Sequence, residues 1–265
     1  TARAAAWAGL ALLFGLSFGS LLSLAVWSVA GRWRFPNAWP EQLSLERWID
    51  HAAALSGPAW TTLVVGVAAA VIALALVAGC LENESRRQRR AGPGALTLVY
   101  LPLLVPQIGF LFGVQVLLVW ADLDGGWLAL IWTHLLFVLP YVFLALADPY
   151  RSLDPRYARS ALALGRPPWV VWTRIKLIML LRPILIALAV GFAVSVAQYV
   201  PTLFAGGGRF GTLTTEALGL SAGGDRRVVG LFALTLAVLP LLGFGLALAL
   251  PAWRFRHRRD MRVGA

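Results

Sequence analysis

The chain has 265 residues, of which 59% are hydrophobic and 13% charged, with a net charge of +11 and a mean hydropathy of +0.75. A water-soluble domain of this length would not tolerate that composition on its surface, so a soluble protein is excluded.

Crossing a bilayer takes about 20 mainly apolar residues at roughly 1.5 Å rise each. In chain order, six segments meet this length: Ala5 to Ala30, Ala59 to Leu81, Ala95 to Trp120, Trp127 to Ala147, Leu177 to Val200 and Val228 to Leu250. Runs this long and continuous satisfy their backbone internally as helices rather than as barrel strands. The expected fold class is an all-α integral membrane protein with six transmembrane helices, forming a single transmembrane domain over residues 1–265. The first run is too long for a signal peptide and lacks a small-residue cleavage pattern. A chain that opens on Thr1 rather than Met is expected to be a processed or excised piece, such as the second half of a longer fused polypeptide.

The connections alternate in charge. The N-terminus, Glu82 to Gly94, Asp148 to Lys176 and the tail after Pro251 hold 16 of the 23 Lys and Arg, and the intervening connections hold six. The positive-inside rule places the richer set, with both termini, in the cytoplasm of a multi-pass protein. The runs RRQRR (Arg86 to Arg90) and RFRHRR (Arg254 to Arg259) abut spans, which fits anionic lipid headgroups and argues against nucleic acid. Cys80 has no partner cysteine, so a disulfide framework is excluded and an apolar filler at a helix end is expected.

The spans themselves hold few ionisable groups. Arg182 lies near the start of the fifth, and His134 in the fourth has no carboxylate beside it in sequence, a poor basis for a proton relay and a better one for a packed histidine. Uncharged polar groups are Gln107 and Gln115 in the third span, which Pro102 and Pro106 break, and Gln198, Tyr199 and Thr202 at the outer end of the fifth. Such groups either bond between helices or line a wet passage, so these five are the candidate solute pathway. The Gly109–Gly113 pair in GFLFG allows a close helix contact. No Ser/His/Asp set or metal-ligand spacing occurs, so no catalytic residue, metal or cofactor is expected. The sole lysine, Lys176, lies between Ile175 and Leu177, which leaves no Gly-Lys-Ser/Thr loop for ATP.

Between the fourth and fifth spans the chain reads YARSALALGRPPWVVWTRIKL from Tyr157 to Leu177. Asp154-Pro155 predicts a helix start, an acidic N-cap followed by proline at the first position. A helix over Pro155 to Leu164 would set Tyr157, Ala161 and Leu164 on one face. Gly165 predicts a left-handed stop, and Arg166 before Pro167 is pushed from helical angles. A second short helix, Trp169 to Arg174, would lead into the fifth span. So complete a set of start and stop signals points to a docking surface rather than an anchoring loop.

This segment resembles the cytoplasmic loop of binding-protein-dependent ABC importer permeases, whose motif is written EAA, three residues, Gly, nine residues, Ile, one residue, Leu-Pro. Ala161, Gly165, Ile175 and Leu177 match that spacing, whereas Arg159 replaces the Glu, Ser160 an Ala and Ile178 the Pro. The resemblance runs from about Thr61 onward. PTLFAGGGRFGTLTTEAL (Pro201 to Leu218) is similar to permeases of the ferric iron, thiamine and polyamine group, some of them fused two-copy chains. The resemblance implies a type I (MetI-like) permease fold in a bacterial plasma (inner) membrane and a transport subunit rather than an enzyme. It implies as partners an ABC ATPase subunit pair that hydrolyses ATP, a second permease half and an extracytoplasmic solute-binding protein. It also implies a cytoplasmic coupling segment, 148–176, and an ATPase-coupling set of Tyr157, Arg159, Ser160, Ala161, Leu164, Gly165, Ile175 and Leu177. The alternative is a secondary transporter or channel acting without an ATPase, against which the scarcity of buried charge weighs. Substitution of Arg159 for Glu leaves docking to depend on shape.

Overall fold

The computed structural model describes residues 2–34 and 37–254; Thr1 and the basic tail beyond Arg254 lie outside the described residues. The regular structure among them is helical, apart from one isolated antiparallel bridge between Ala30 and Leu43. In order the helices are α1 (Ala2–Val29), α2 (Glu46–Asp50), α3 (Ala52–Arg87), α4 (Pro93–Leu104), α5 (Gln107–Trp120), α6 (Trp127–Arg151) and α7 (Pro155–Ala163). There follow α8 (Pro168–Val171), a π-helical turn (Trp172–Lys176), α9 (Leu177–Met179), α10 (Leu181–Val196), α11 (Val200–Gly206), α12 (Leu213–Ser221) and α13 (Arg226–Arg254).

Four helices, α1, α3, α6 and α13, are each long and apolar enough to cross a membrane, and two bent pairs raise the candidate spans to as many as six. Both bends have identifiable proline causes. Between α4 and α5 the chain turns by 105°. Val105, preceding Pro106, is held extended at φ −88°, ψ 142°, because proline's ring excludes helical angles before it. Pro102 stays inside α4, where the chain continues despite its missing donor. The second bend, of 76°, separates Pro168–Met179 from α10. It falls at Leu180, and Pro183 in the first turn of α10 has no amide to return to the preceding turn. The fifth hydrophobic run ends as a helix at Val196 rather than at Val200, and Val200 opens the short α11 with Pro201 in its first turn.

The chain divides into two compact units. One comprises the described residues up to Thr62 with Gly211–Leu239, the other Leu63–Phe210 with the described residues from Pro240. In the first, Leu213, Ala217, Leu231 and Phe232 form a core against which Trp48 and Leu55 pack. A capping box opens α12, in which the Thr212 hydroxyl accepts from the Thr215 amide and the Thr215 hydroxyl accepts from the Thr212 amide. The Leu213 amide donates to Thr62 Oγ1 at 2.9 Å.

In the second unit the core is the meeting of α3, α6 and α10, with Ala69, Ala73, Val77 and Leu81 facing Val138, Val142 and Leu146. The closest approach is at Gly191 of α10, where an added Cβ would lie 2.7 Å from Val142 Cγ2, 3.1 Å from Val138 Cγ1 and 3.3 Å from Ala70 Cβ. Gly109 and Gly113, the pair expected to permit close contact, have nothing within 4 Å of such a Cβ in this chain. Cys80 is exposed rather than a filler, since its neighbour Leu81 carries the buried face of α3.

The packing predicts that Gly191→Val lowers the thermal unfolding midpoint of the detergent-solubilised protein by the equivalent of about 1–3 kcal/mol, because overpacking outweighs the gain in helix propensity. Gly109→Val, with open space around it, should leave the midpoint unchanged or raised. Equal behaviour of the two variants would contradict the three-helix contact.

Candidate functional site

The segment after α6 folds as its local signals dictate. Asp154 caps α7 by accepting from the Arg156 amide at 2.8 Å, with Pro155 at the first position. Gly165, at φ +76°, ends it: its amide donates to Leu162 O at 2.9 Å and that of Arg166 to Ala161 O at 3.2 Å, the two bonds of a Schellman motif. Pro167 is extended and Pro168 opens α8. The helix that follows is not plain α: after four residues it widens into the π-helical turn that contains Ile175 and Lys176.

The eight residues expected to act on a partner divide into two layers. Ala161 is buried against the chain, and Ile175 and Leu177 are half-buried beneath it. Tyr157, Arg159, Ser160, Leu164 and Gly165 face outward, with Leu164 82% and Tyr157 54% exposed. The single face drawn from sequence spacing is thus split. Its smallest member seats the helix and its two larger ones remain uncovered, joined by Trp169 at 61% exposure.

What holds this platform was not readable as a motif. Lys176 is only 8% exposed, and its Nζ donates to Glu82 Oε2 at 2.7 Å and to Ser85 Oγ at 3.0 Å. Glu82, near the end of α3, also accepts from Tyr150 OH at 2.6 Å and from Arg86 Nε at 2.7 Å. Three donors on one carboxylate offset the desolvation that burying it costs. Arg86 reaches on to the Pro168 carbonyl at 3.3 Å, and a second pair, Arg151 with Glu84, ties α6 to α3 at 3.0 Å. Glu82, Ser85, Arg86, Tyr150 and Lys176 line a cleft of about 570 Å³, bounded by α7 residues Ala158, Arg159 and Leu162. Glu82 and Lys176 are 94 positions apart, so no local spacing could have revealed the pair.

The polar residues of the fifth run gather elsewhere. His134 on α6 is 2% exposed, with Nε2 3.0 Å from Thr202 Oγ1 and Nδ1 2.7 Å from Ser195 Oγ. The Thr202 hydroxyl donates to Gln198 O at 2.9 Å, so Nε2 carries the proton toward Thr202 and Nδ1 accepts from Ser195. Gln198 Nε2 donates back to His134 O at 3.3 Å. Histidine, Gln198 and Thr202 thereby clamp α6 to the turn between α10 and α11, the packed role expected for His134. Tyr199 is half-buried beside them, Gln107 is exposed at the start of α5, and Gln115 is half-buried midway along it. Gln115 Oε1 and Gln198 Oε1 are buried without a hydrogen-bond partner. Among the described residues no group of His, Cys, Asp or Glu could hold a metal ion.

Apolar helices of spanning length, two of them broken, with a capped surface helix set between two of the spans, define a multi-pass membrane protein of the permease class. Residues 71–250 match the family described as binding-protein-dependent transport system inner membrane component, and the chain belongs to that family. It is also 38% identical over 201 residues to the inner membrane ABC transporter permease protein YnjC of Escherichia coli (strain K12). That match covers 76% of this chain and 38% of the relative, so the chain spans well under half of the protein it resembles.

The buried pair predicts that Lys176→Met, which strands a carboxylate, destabilises the protein by about 3 kcal/mol. Adding Glu82→Leu should recover part of that loss. A double-mutant cycle read by thermal unfolding checks it, and additive effects would show that the two side chains do not interact.

Proposed function

We propose that this chain is the transmembrane permease subunit of an ATP-driven importer, lying in a bacterial inner membrane with both termini cytoplasmic. It forms half of a solute pathway together with a second permease half, which is a separate copy, a homologous chain or a fused neighbour. In this reading α7 is the coupling helix that docks a separate ATPase pair, and a solute-binding protein delivers the cargo on the opposite face. ATP hydrolysis belongs to the partner. The observation that carries the proposal is the form of α7: a helix with defined caps at both ends, uncovered Tyr157 and Leu164, and a buried ion pair beneath it. A mobile loop would transmit little force, whereas a helix mounted on α3 through Lys176 moves with the span. Arg159 in the usual acidic position makes the docking surface basic and apolar, which favours contact by shape.

For the pathway, Gln115 and Gln198 are the stronger candidates, since each keeps an uncommitted side-chain oxygen. Tyr199 lies next to Gln198 and Gln107 opens the same helix as Gln115, while Thr202 serves chiefly to hold His134. The resemblance of Pro201 to Leu218 to permeases of the ferric iron, thiamine and polyamine group suggests the class of system, and not the cargo.

Gly165→Val tests the coupling reading. Gly165 has nothing within 4 Å of an added Cβ, so the substitution acts through the backbone alone, where φ +76° penalises a β-branched residue. The variant should reach the membrane in normal amount, while co-purification of the ATPase and ATP-dependent uptake in proteoliposomes fall at least about tenfold, the equivalent of some 1–2 kcal/mol. Wild-type uptake by the variant, or full uptake by wild type with no ATPase present, would overturn the proposal.

A further inference from the structure

The first compact unit holds a cleft of about 830 Å³ that no part of the transport reading uses. It lies where α1 ends and α13 begins, and five arginines line it: Arg32, Arg34, Arg47, Arg226 and Arg227. Two carboxylates oppose them, Glu46 and Asp225. Asp225 is already committed, paired with Arg227 at 2.7 Å and with Arg47 at 3.3 Å. The Arg227 guanidinium holds its carboxyl below the usual carboxylate range. Arg227 also donates to the Gly31 carbonyl at 2.7 Å, which leaves Arg32, Arg34 and Arg226 facing the cleft with no ion-pair partner among the described residues. The wall is aromatic: Trp27 and Trp33 stack with centroids 4.3 Å apart, and the Arg226 guanidinium lies 6.0 Å over the Trp27 ring.

A second groove of about 430 Å³ adjoins the first, sharing Trp27 and Arg226 with it. Its other walls are small or apolar, among them Leu24, Ala222, Val229 and Gly230. A basic head cavity, an indole at its lip and an apolar groove leading from it along the ends of two membrane helices have the form of an amphiphilic anion. Tryptophan and arginine at the end of a span sit at headgroup level, and each basic group near that surface favours an anionic lipid by about 1 kcal/mol.

We propose that this composite cleft is a binding site for one anionic phospholipid, its phosphate held by Arg32, Arg34 and Arg226 and the first part of an acyl chain lying between Leu24 and Val229. The site is independent of the ATPase-coupling reading and lies in the other compact unit from α7.

Native mass spectrometry of the protein purified from membranes in mild detergent tests it, with added dioleoyl-phosphatidylglycerol and dioleoyl-phosphatidylcholine as probes. Wild-type protein should retain phosphatidylglycerol in preference to phosphatidylcholine. The R32Q/R34Q/R226Q variant should bind phosphatidylglycerol roughly a hundredfold more weakly, and R32K/R34K/R226K within about tenfold of wild type. Equal retention of the two lipids by wild type overturns the proposal, as does unchanged affinity in the glutamine variant. Displacement of the lipid by millimolar inorganic phosphate would make this a free-anion site, and displacement by an acidic peptide a protein-docking surface; either result also overturns it. Should the glutamine variant fail to fold, the wild-type lipid preference and the phosphate competition still decide.

Discussion

A carboxylate near the end of α3 organises the surface around α7. Glu82 accepts from a lysine, a tyrosine and an arginine that come from three different segments of chain. A buried charge in that number of bonds tolerates little displacement, because each donor that leaves exposes the carboxylate to uncompensated desolvation. Such a pair is weak evidence for extra stability, and its contribution is geometric. It specifies where the π-helical turn meets α3, and with it the attitude of α7. The Arg151–Glu84 pair, whose carboxylate also accepts from the Ala91 amide at 2.8 Å, is a second such tie two residues further along α3.

The sequence was legible where structure is local. Asp154-Pro155 and Gly165 read correctly as the ends of α7, because capping depends on residues within one turn of each other. Four of the six apolar runs form single helices long enough to cross a bilayer, because the length needed is a property of one segment, whereas the third and fifth are bent pairs. Elsewhere the signals were tertiary. Nothing around Lys176 marks it as buried, since its partners Glu82 and Ser85 lie near the end of α3. Pro106 was visible as a break in the third run, whereas the fifth run read as continuous although the chain bends there by 76°. Gly191 looked ordinary in a run of apolar residues, while the more regular Gly109–Gly113 pair makes no close contact within the chain.

The interior of the second unit also shows how polar groups are used at membrane depth. His134, Ser195, Gln198 and Thr202 bond to one another across α6, α10 and α11, with only Gln198 Oε1 left unpartnered. Those bonds join elements that apolar packing alone would leave free to slide. Much of the apolar surface outside these contacts, including Leu12, Leu13 and Phe14 on α1, is left for the bilayer or for a neighbouring subunit.

The wide turn at Trp172–Lys176 has a consequence of its own. A π turn takes up one residue more than the α turn it replaces, so everything after it lags the helical phase by roughly 100°. Lys176, the last residue of that turn, is the one that reaches Glu82. Evolution can therefore retune the angle between the surface helix and the core by inserting or deleting a single residue here, without altering any side chain that either one presents.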